Sequence, residues 1–168
     1  MPSAITISPY KAQHARGTIE VFLRAITEVA AQDYTPAQVH AWAQVPDPEA
    51  WAQKRLSRPA WVTLCEDEVI GFIDLTATGY LDMLFVHPAH QRSGVATRLY
   101  TALETFARAQ GMVQIETEAS ITARPFFERQ GFVVICAQSV VFRGQTLINY
   151  RMTKAITDMK KALGVCES

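Results

Sequence analysis

The apolar pattern of this chain predicts an α/β domain built on one mixed sheet, and three observations carry that reading. Strand-like runs at residues 61–66, 69–75 and 80–86 follow one another across short turns, as an antiparallel meander does. A strand–helix–strand unit comes next, from residues 80–86 through an amphipathic helix over 93–110 to a strand at 113–117. A crossover of that kind is right-handed and leaves its second strand parallel to its partner. Last, a short helix over residues 122–130 leads to a hairpin, 132–142 and 145–152, around Arg143-Gly144.

Each element has its own local warrant. Ala4-Ile5-Thr6-Ile7 reads as a first strand, and Ile19, Phe22, Leu23, Ile26 and Val29 repeat at helical spacing between Tyr10 and Ala30. Thr35-Pro36 and Asp47-Pro48 each place a capping oxygen before a proline at the first helical position. They open short helices ending near Ala43 and Ser57. The turn between the first two meander strands is expected at Asp67-Glu68. In the helix over 93–110, Val95, Leu99, Leu103 and Phe106 form one apolar face. Gly131 ends the short helix that follows.

Composition narrows the function. At 168 residues the chain is one domain, expected at residues 1–152, with 153–168 as a peripheral tail. Sixteen basic side chains balance sixteen acidic ones without a Lys/Arg run, which argues against a nucleic-acid surface. There is no basic, apolar leader at Met1-Pro2-Ser3-Ala4, and no run reaches the ~18 apolar residues of a membrane span. A cytoplasmic protein, monomeric or homodimeric and without membrane or nucleic-acid partners, is the expectation. Three scattered cysteines, Cys65, Cys136 and Cys166, fit a reducing compartment, and the apolar runs around Cys65 and Cys136 place both in the core. His14, His40, His87 and His90 are dispersed, so no metal is expected.

The most informative segment runs from Leu84 to Ala96. An apolar strand, a turn at His87-Pro88, and then Gln91-Arg92-Ser93-Gly94-Val95-Ala96 open a helix. The first turn of such a helix presents unpaired N–H groups and the positive end of the helix dipole, which suits phosphate. Gly94 and Ala96 let ligand oxygens reach the main chain. By itself a glycine loop before a helix is an ordinary turn.

This segment resembles the acetyl-CoA signature Gln/Arg-x-x-Gly-x-Gly/Ala of GNAT-superfamily N-acetyltransferases. A second segment, Ser120-Ile121-Thr122-Ala123-Arg124-Pro125-Phe126-Phe127-Glu128-Arg129-Gln130-Gly131-Phe132, is similar to the family's Asn-x-x-Ala-x-x-x-Tyr-x-Lys/Arg-x-Gly-Phe. The resemblance is strong over residues 60–152 and only a matter of pattern before them. It implies a mostly antiparallel sheet, splayed between strands 4 and 5, with helices on both faces. It also implies acetyl-CoA as co-substrate, held by Leu84, Phe85, Val86, Gln91, Arg92, Ser93, Gly94, Val95, Ala96, Thr97, Ser120, Ala123, Phe126, Phe127 and Arg129. The pantetheine arm would add to the free edge of the fourth strand at Leu84–Val86. Two positions depart from the pattern: Ser120 stands for Asn, and Phe127 stands for the Tyr commonly assigned as acid toward the departing thiol. A phenyl ring donates no proton.

The implied reaction is attack of a primary amine, on a small molecule or peptide, on the thioester in a ternary complex. At pH 7 an alkylamine of pKa ~10.4 lies about 3.4 units from neutrality, or roughly 4.6 kcal/mol. A carboxylate is the usual remedy. Asp82 leads the candidates, because strand parity should put its side chain on the side of Leu84 and Val86; Glu116 and Glu118 are alternatives. Polarising the thioester carbonyl calls for a main-chain N–H, which the family draws from a bulge in its fourth strand, here expected at Val86 or its neighbour. Tyr80 or Tyr150 could donate to the thiolate in place of Phe127. His87 is expected to position the loop rather than titrate. Glu28, Asp33, Tyr34 and Trp42 are expected to wall the amine pocket, and Arg124 and Arg129 are placed to meet phosphates. The alternative reading, prompted by Phe127, is a catalytically idle acyl-CoA-binding module.

Overall fold

The computed structural model describes residues 4–157. The strands are β1 (Ile5–Pro9), β2 (Ala60–Cys65), β3 (Glu68–Leu75), β4 (Tyr80–Val86), β5 (Gln114–Ser120), β6 (Val133–Phe142) and β7 (Gln145–Ala155). They form one seven-stranded sheet in the order β1-β2-β3-β4-β5-β7-β6. All neighbours are antiparallel except β4 and β5, which are parallel. On one face lie α1 (Ala15–Arg24), α2 (Pro36–Trp42) and α3 (Pro48–Leu56), packed through Phe22, Val39 and Trp51. The other face carries α4 (Val95–Ala109) and α5 (Arg124–Arg129), packed through Leu99, Leu103 and Phe127. Among the described residues no helix is long and apolar enough to cross a membrane.

Both expected caps form. Thr35 Oγ1 accepts the Gln38 N–H at 3.2 Å while Gln38 Oε1 accepts the Thr35 N–H at 2.8 Å, and Asp47 Oδ1 accepts the Ala50 N–H at 3.1 Å. α4 lies close on β3 because Gly71 has no side chain. A Cβ there would meet Val95 Cγ1 at 3.0 Å and Leu99 Cδ1 at 3.1 Å.

Two departures from regular pairing shape the centre of the sheet. β4 and β5 pair only at Tyr80–Glu116 and Leu81–Thr117, pinned by the Thr117 hydroxyl donating to the Leu81 carbonyl at 2.9 Å. Beyond that point β5 follows β7, as far as Ser120 opposite Asn149, and the sheet splits into a V. The second departure is a bulge in β4: Ile73 faces Leu84 and Leu75 faces Leu81, so Asp82 and Met83 together oppose the single residue Asp74. The Met83 N–H, deprived of a carbonyl partner, donates to Asp74 Oδ1 at 2.9 Å.

Other expectations shift by a few residues. A 3₁₀ turn at Ala12–His14 precedes α1, and a π-turn at Ala25–Val29 ends it. The β2–β3 turn is Glu66-Asp67, both at positive φ, not Asp67-Glu68. The short helix starts only at Arg124, since the Ser120 hydroxyl accepts the Ala123 N–H at 3.0 Å and holds a turn before it. β7 runs to Ala155 rather than ending at 152, and Ile156 after it is buried. Tail residues 158–168, with Cys166, lie outside the described residues. Cys65 packs against the core, but Cys136 is exposed, on β6 at the sheet's outer edge.

Candidate active site

The V between β4 and β5 joins two cavities. The larger, about 710 Å³, opens toward the N-terminus of α4. Of the residues expected to hold the cofactor, Leu84, Phe85, Val86, Gln91, Arg92 and Gly94 line it. So do Val95, Ala96, Thr97, Ser120, Ala123, Phe126 and Arg129. Two do not. Ser93 turns its hydroxyl back onto the His90 carbonyl, and the Phe127 ring is buried among Phe126 and Phe132. Gly94 caps α4 at φ 81°, and a Cβ there would meet nothing within 4 Å, so the space in front of the first helical N–H groups is open. Among the described residues, Arg92 and Arg129 are this cavity's guanidinium groups and no carboxylate lines it. The residues fit a ligand with phosphates at one end and an extended arm at the other.

The arm's side of the cavity is main chain. The His87 N–H donates to Ile70 of β3 at 2.8 Å, so alternation turns the N–H and C=O of Leu84 and Val86 the other way, into the V. Gln91 Nε2 donates to the Val86 carbonyl at 2.7 Å and leaves the N–H groups available. The bulge expected near Val86 lies earlier, at Asp82-Met83. The π-turn contributes a wall that sequence reasoning missed, through Ala25 and Val29. A π-turn leaves no periodic trace in so short a segment. His87 positions this loop. Its Nδ1 accepts the Ala89 N–H at 3.0 Å and its Nε2 meets the Arg24 guanidinium at 2.8 Å. Burial and the Arg24 charge hold the imidazole below its ordinary pKa.

The smaller cavity, about 410 Å³, lies across the V. Of the residues expected to wall an amine pocket, Tyr34 and Trp42 line it, and so do Asp82 and Glu118. Glu28, Asp33 and Glu116 do not. Glu28 pairs with Arg24 at 2.6 Å, Asp33 accepts from the Thr122 hydroxyl at 2.7 Å, and Glu116 belongs to the paired root of the V. The Tyr34 hydroxyl is committed, donating to the Ile148 carbonyl at 2.8 Å and accepting the Ile121 N–H at 2.9 Å. Burial raises its pKa. Phe127 reaches this cavity rather than the larger one.

Asp82 is not on the face that parity assigned. The bulge inserts one residue between it and Leu84, so Leu81 and Leu84 share the α4 face while Asp82 turns toward α3. There it accepts from Arg58 at 3.0 Å, with Lys54 at 3.7 Å. Behind it Asp74, fully buried, lies 3.6 Å from the equally buried Arg55 and 3.8 Å from Arg58. Desolvation raises the Asp74 pKa to about 6, against the pull of Arg55. Burial also lowers the Arg55 pKa. This pair escaped sequence reasoning, although one acid inside the apolar run Val69–Leu75 was its signal.

Glu118 is exposed on the cavity wall, and among the described residues no cation pairs with it. The Tyr80 phenol stands beside it. Burial, then the Glu118 and Asp82 charges, raise the Tyr80 pKa far above its ordinary value, so it stays protonated. The rest of the wall comes from the C-terminal hairpin, through Phe142, Leu147, Ile148 and Asn149. These residues have no local motif. α2 is clipped to the hairpin by Gln38 Nε2 donating to the Thr146 carbonyl at 2.8 Å and Arg143 donating to the Ala41 carbonyl at 2.6 Å. Arg124 stacks on Tyr150 at 4.4 Å and pairs with Glu128, outside both cavities.

The family model for the acetyltransferase (GNAT) domain matches residues 30–154. The chain belongs to this family. An uncharacterized N-acetyltransferase of Escherichia coli K12, YafP, is 37% identical over 148 residues, 88% of this chain and 94% of that protein. A GCN5-related N-acetyltransferase structure from Rhodopseudomonas palustris superposes with a TM-score of 0.87 at 31% identity, covering 92% of this chain and 98% of that one. A putative acetyltransferase from Salmonella typhimurium, solved with acetyl-CoA, has the same fold at a TM-score of 0.70 and 20% identity, over 93% of this chain and 96% of that one. The GNAT fold therefore accounts for the parallel pair, the splayed V and the loop before α4. The larger cavity is where the family's cofactor signature falls.

Proposed function

We propose that this GNAT protein transfers the acetyl group of acetyl-CoA to a primary amine, by direct attack in a ternary complex. One observation carries the reading: two cavities, one lined by arginines and the other by carboxylates, meet at the split between β4 and β5. The side with Arg92 and Arg129 suits phosphates, and the side with Glu118, whose carboxylate pairs with no cation among the described residues, suits an ammonium. Trp42, Leu84, Phe85, Ser120 and Ala123 line both, so the reacting atoms can meet between them.

Bound acetyl-CoA supplies the thioester. Around it, the first-turn N–H groups of Val95, Ala96 and Thr97 hold phosphate, with Arg92 and Arg129. The Leu84 and Val86 N–H groups are the donors for negative charge developing on the carbonyl oxygen. Glu118 takes an amine proton, directly or through water, because Asp82 is already committed to Arg58 and Lys54. Tyr80 holds a proton toward the leaving sulfur. The C–N bond forms, the C–S bond breaks, and an ammonium plus acetyl-CoA become an amide, CoA thiol and one released proton.

The test is CoA thiol release with acetyl-CoA and a panel of primary amines. Turnover with at least one supports the enzyme. Tight acetyl-CoA binding without turnover on any amine would leave the idle module as the answer.

A further inference from the structure

The smaller cavity also says what the amine is attached to. Its wall is a run of rings in mutual contact: Tyr34 and Trp42 at 5.4 Å between centroids, Trp42 and Phe85 at 6.3 Å, Phe85 and Phe22 at 5.0 Å, Phe22 and Trp51 at 5.0 Å. The first, second and third contacts are edge-to-face, so ring faces and edges are both presented along one surface. Phe142 and Ile148 form the outer rim, 41% and 46% exposed. Most polar side chains of the lining are already bonded within the protein, among them Tyr34, Gln44, Thr117 and Ser120. With Asp82 taken by Arg58 and Lys54, the groups left over are Glu118 and Asn149, whose Oδ1 is buried without a hydrogen-bond partner. Both present an acceptor oxygen, and among the described residues no Lys or Arg lines the cavity.

An ammonium has three donors and no acceptor, and matches these oxygens. The rest of the space has little for a second charged or hydroxylated group, whose burial without partners would be costly. We propose that the acceptor is a primary amine carried on an aromatic body, an arylalkylamine, with its ring against Trp42 and Phe85 and its nitrogen toward Glu118. This rests on the acetyl-transfer reading and adds the substrate class. Aliphatic diamines and polyamines are disfavoured, because their second ammonium would have ring faces as its partner in place of a carboxylate. At about 410 Å³ the cavity takes one compact molecule.

The experiment separates the class of amine from the chemistry. The full chain, saturated with CoA so that no turnover occurs, is titrated calorimetrically with phenethylamine, cadaverine and a lysine-containing pentapeptide. Phenethylamine is expected to bind at least tenfold more tightly than either competitor. Phe142→Ser and Ile148→Ser, both on the exposed rim, should each reduce that preference several-fold while CoA affinity stays at the parental value. Glu118→Gln should weaken all amines alike. In the acetyl-CoA assay kcat/KM should follow the same order. Equal or tighter binding of cadaverine or the peptide overturns the proposal, and so does a phenethylamine preference that both rim variants leave intact. If phenethylamine binds as expected yet no amine releases CoA thiol, the acetyl-transfer reading fails and the pocket's preference stands.

Discussion

At the scale of single residues, Gly94, Glu118 and Asp82 do separable work. Gly94 sits in the left-handed region with open space where a side chain would be. Gly94→Val would fill the approach to the first-turn N–H groups and strain the cap, so acetyl-CoA affinity should fall by more than about tenfold. A circular dichroism spectrum like the parent's shows that the fold survives, and unchanged affinity would sink the phosphate-loop assignment. Glu118→Gln should lower kcat/KM by about 10²–10⁴ at pH 7, with the loss shrinking at high pH where the amine sheds its proton unaided. Asp82→Asn, which removes a carboxylate already committed to Arg58, should lower kcat/KM less than Glu118→Gln at the same pH. If the two losses come in the reverse order, Asp82 is the base despite its partners.

At the scale of elements, the bulge in β4 decides which atoms reach the V, and it is built from side chains as much as from strands. Asp74 stands where a strand residue would offer a carbonyl, and its carboxylate takes the Met83 N–H. Arg55 keeps that carboxylate from being an unpaired buried charge. Arg55→Met should therefore destabilise by about 3–5 kcal/mol at pH 8, and adding Asp74→Asn should recover part of the loss, as urea midpoints would show. If the double variant is no better than the single, the pair is not coupled. The same geometry explains what could be read beforehand. Strands and helices announce themselves by period, and the loop at Gln91–Ala96 is contiguous, so both were legible. The bulge depends on one carboxylate reaching across from β3. The wall of the smaller cavity is assembled from α1, α2, α3, β4, β5 and a hairpin that begins near residue 133, and no local pattern records that convergence. Parity placed Asp82 with Leu84 because parity assumes an unbroken ladder.

At the scale of the whole molecule, the buried acid runs against the usual trend of stability with pH. Burial lowers the pKa of His14 and of His87, so the unfolded chain binds those protons more readily and their contributions weaken as pH falls below about 6.5. Asp74 has the opposite sign. Its folded pKa, about 6, lies above the ordinary 3.8, so its contribution is complete below about 3.8 and is lost as pH rises through 6. The gap corresponds to about 3 kcal/mol at most. The two effects overlap between pH 4 and 6.5 and cancel in part, so the parent's profile alone does not reveal the acid. A difference does. Arg55 sets the offset between parent and Asp74→Asn, but it does not titrate in this range, and so the change in offset with pH belongs to Asp74. From pH 4.5 to pH 7.5 the parent should lose stability relative to Asp74→Asn, measured as the difference in urea midpoints at each pH. A difference that stays flat, or moves in the parent's favour, would mean that Arg55 and Arg58 outweigh burial and that Asp74 is ionised throughout.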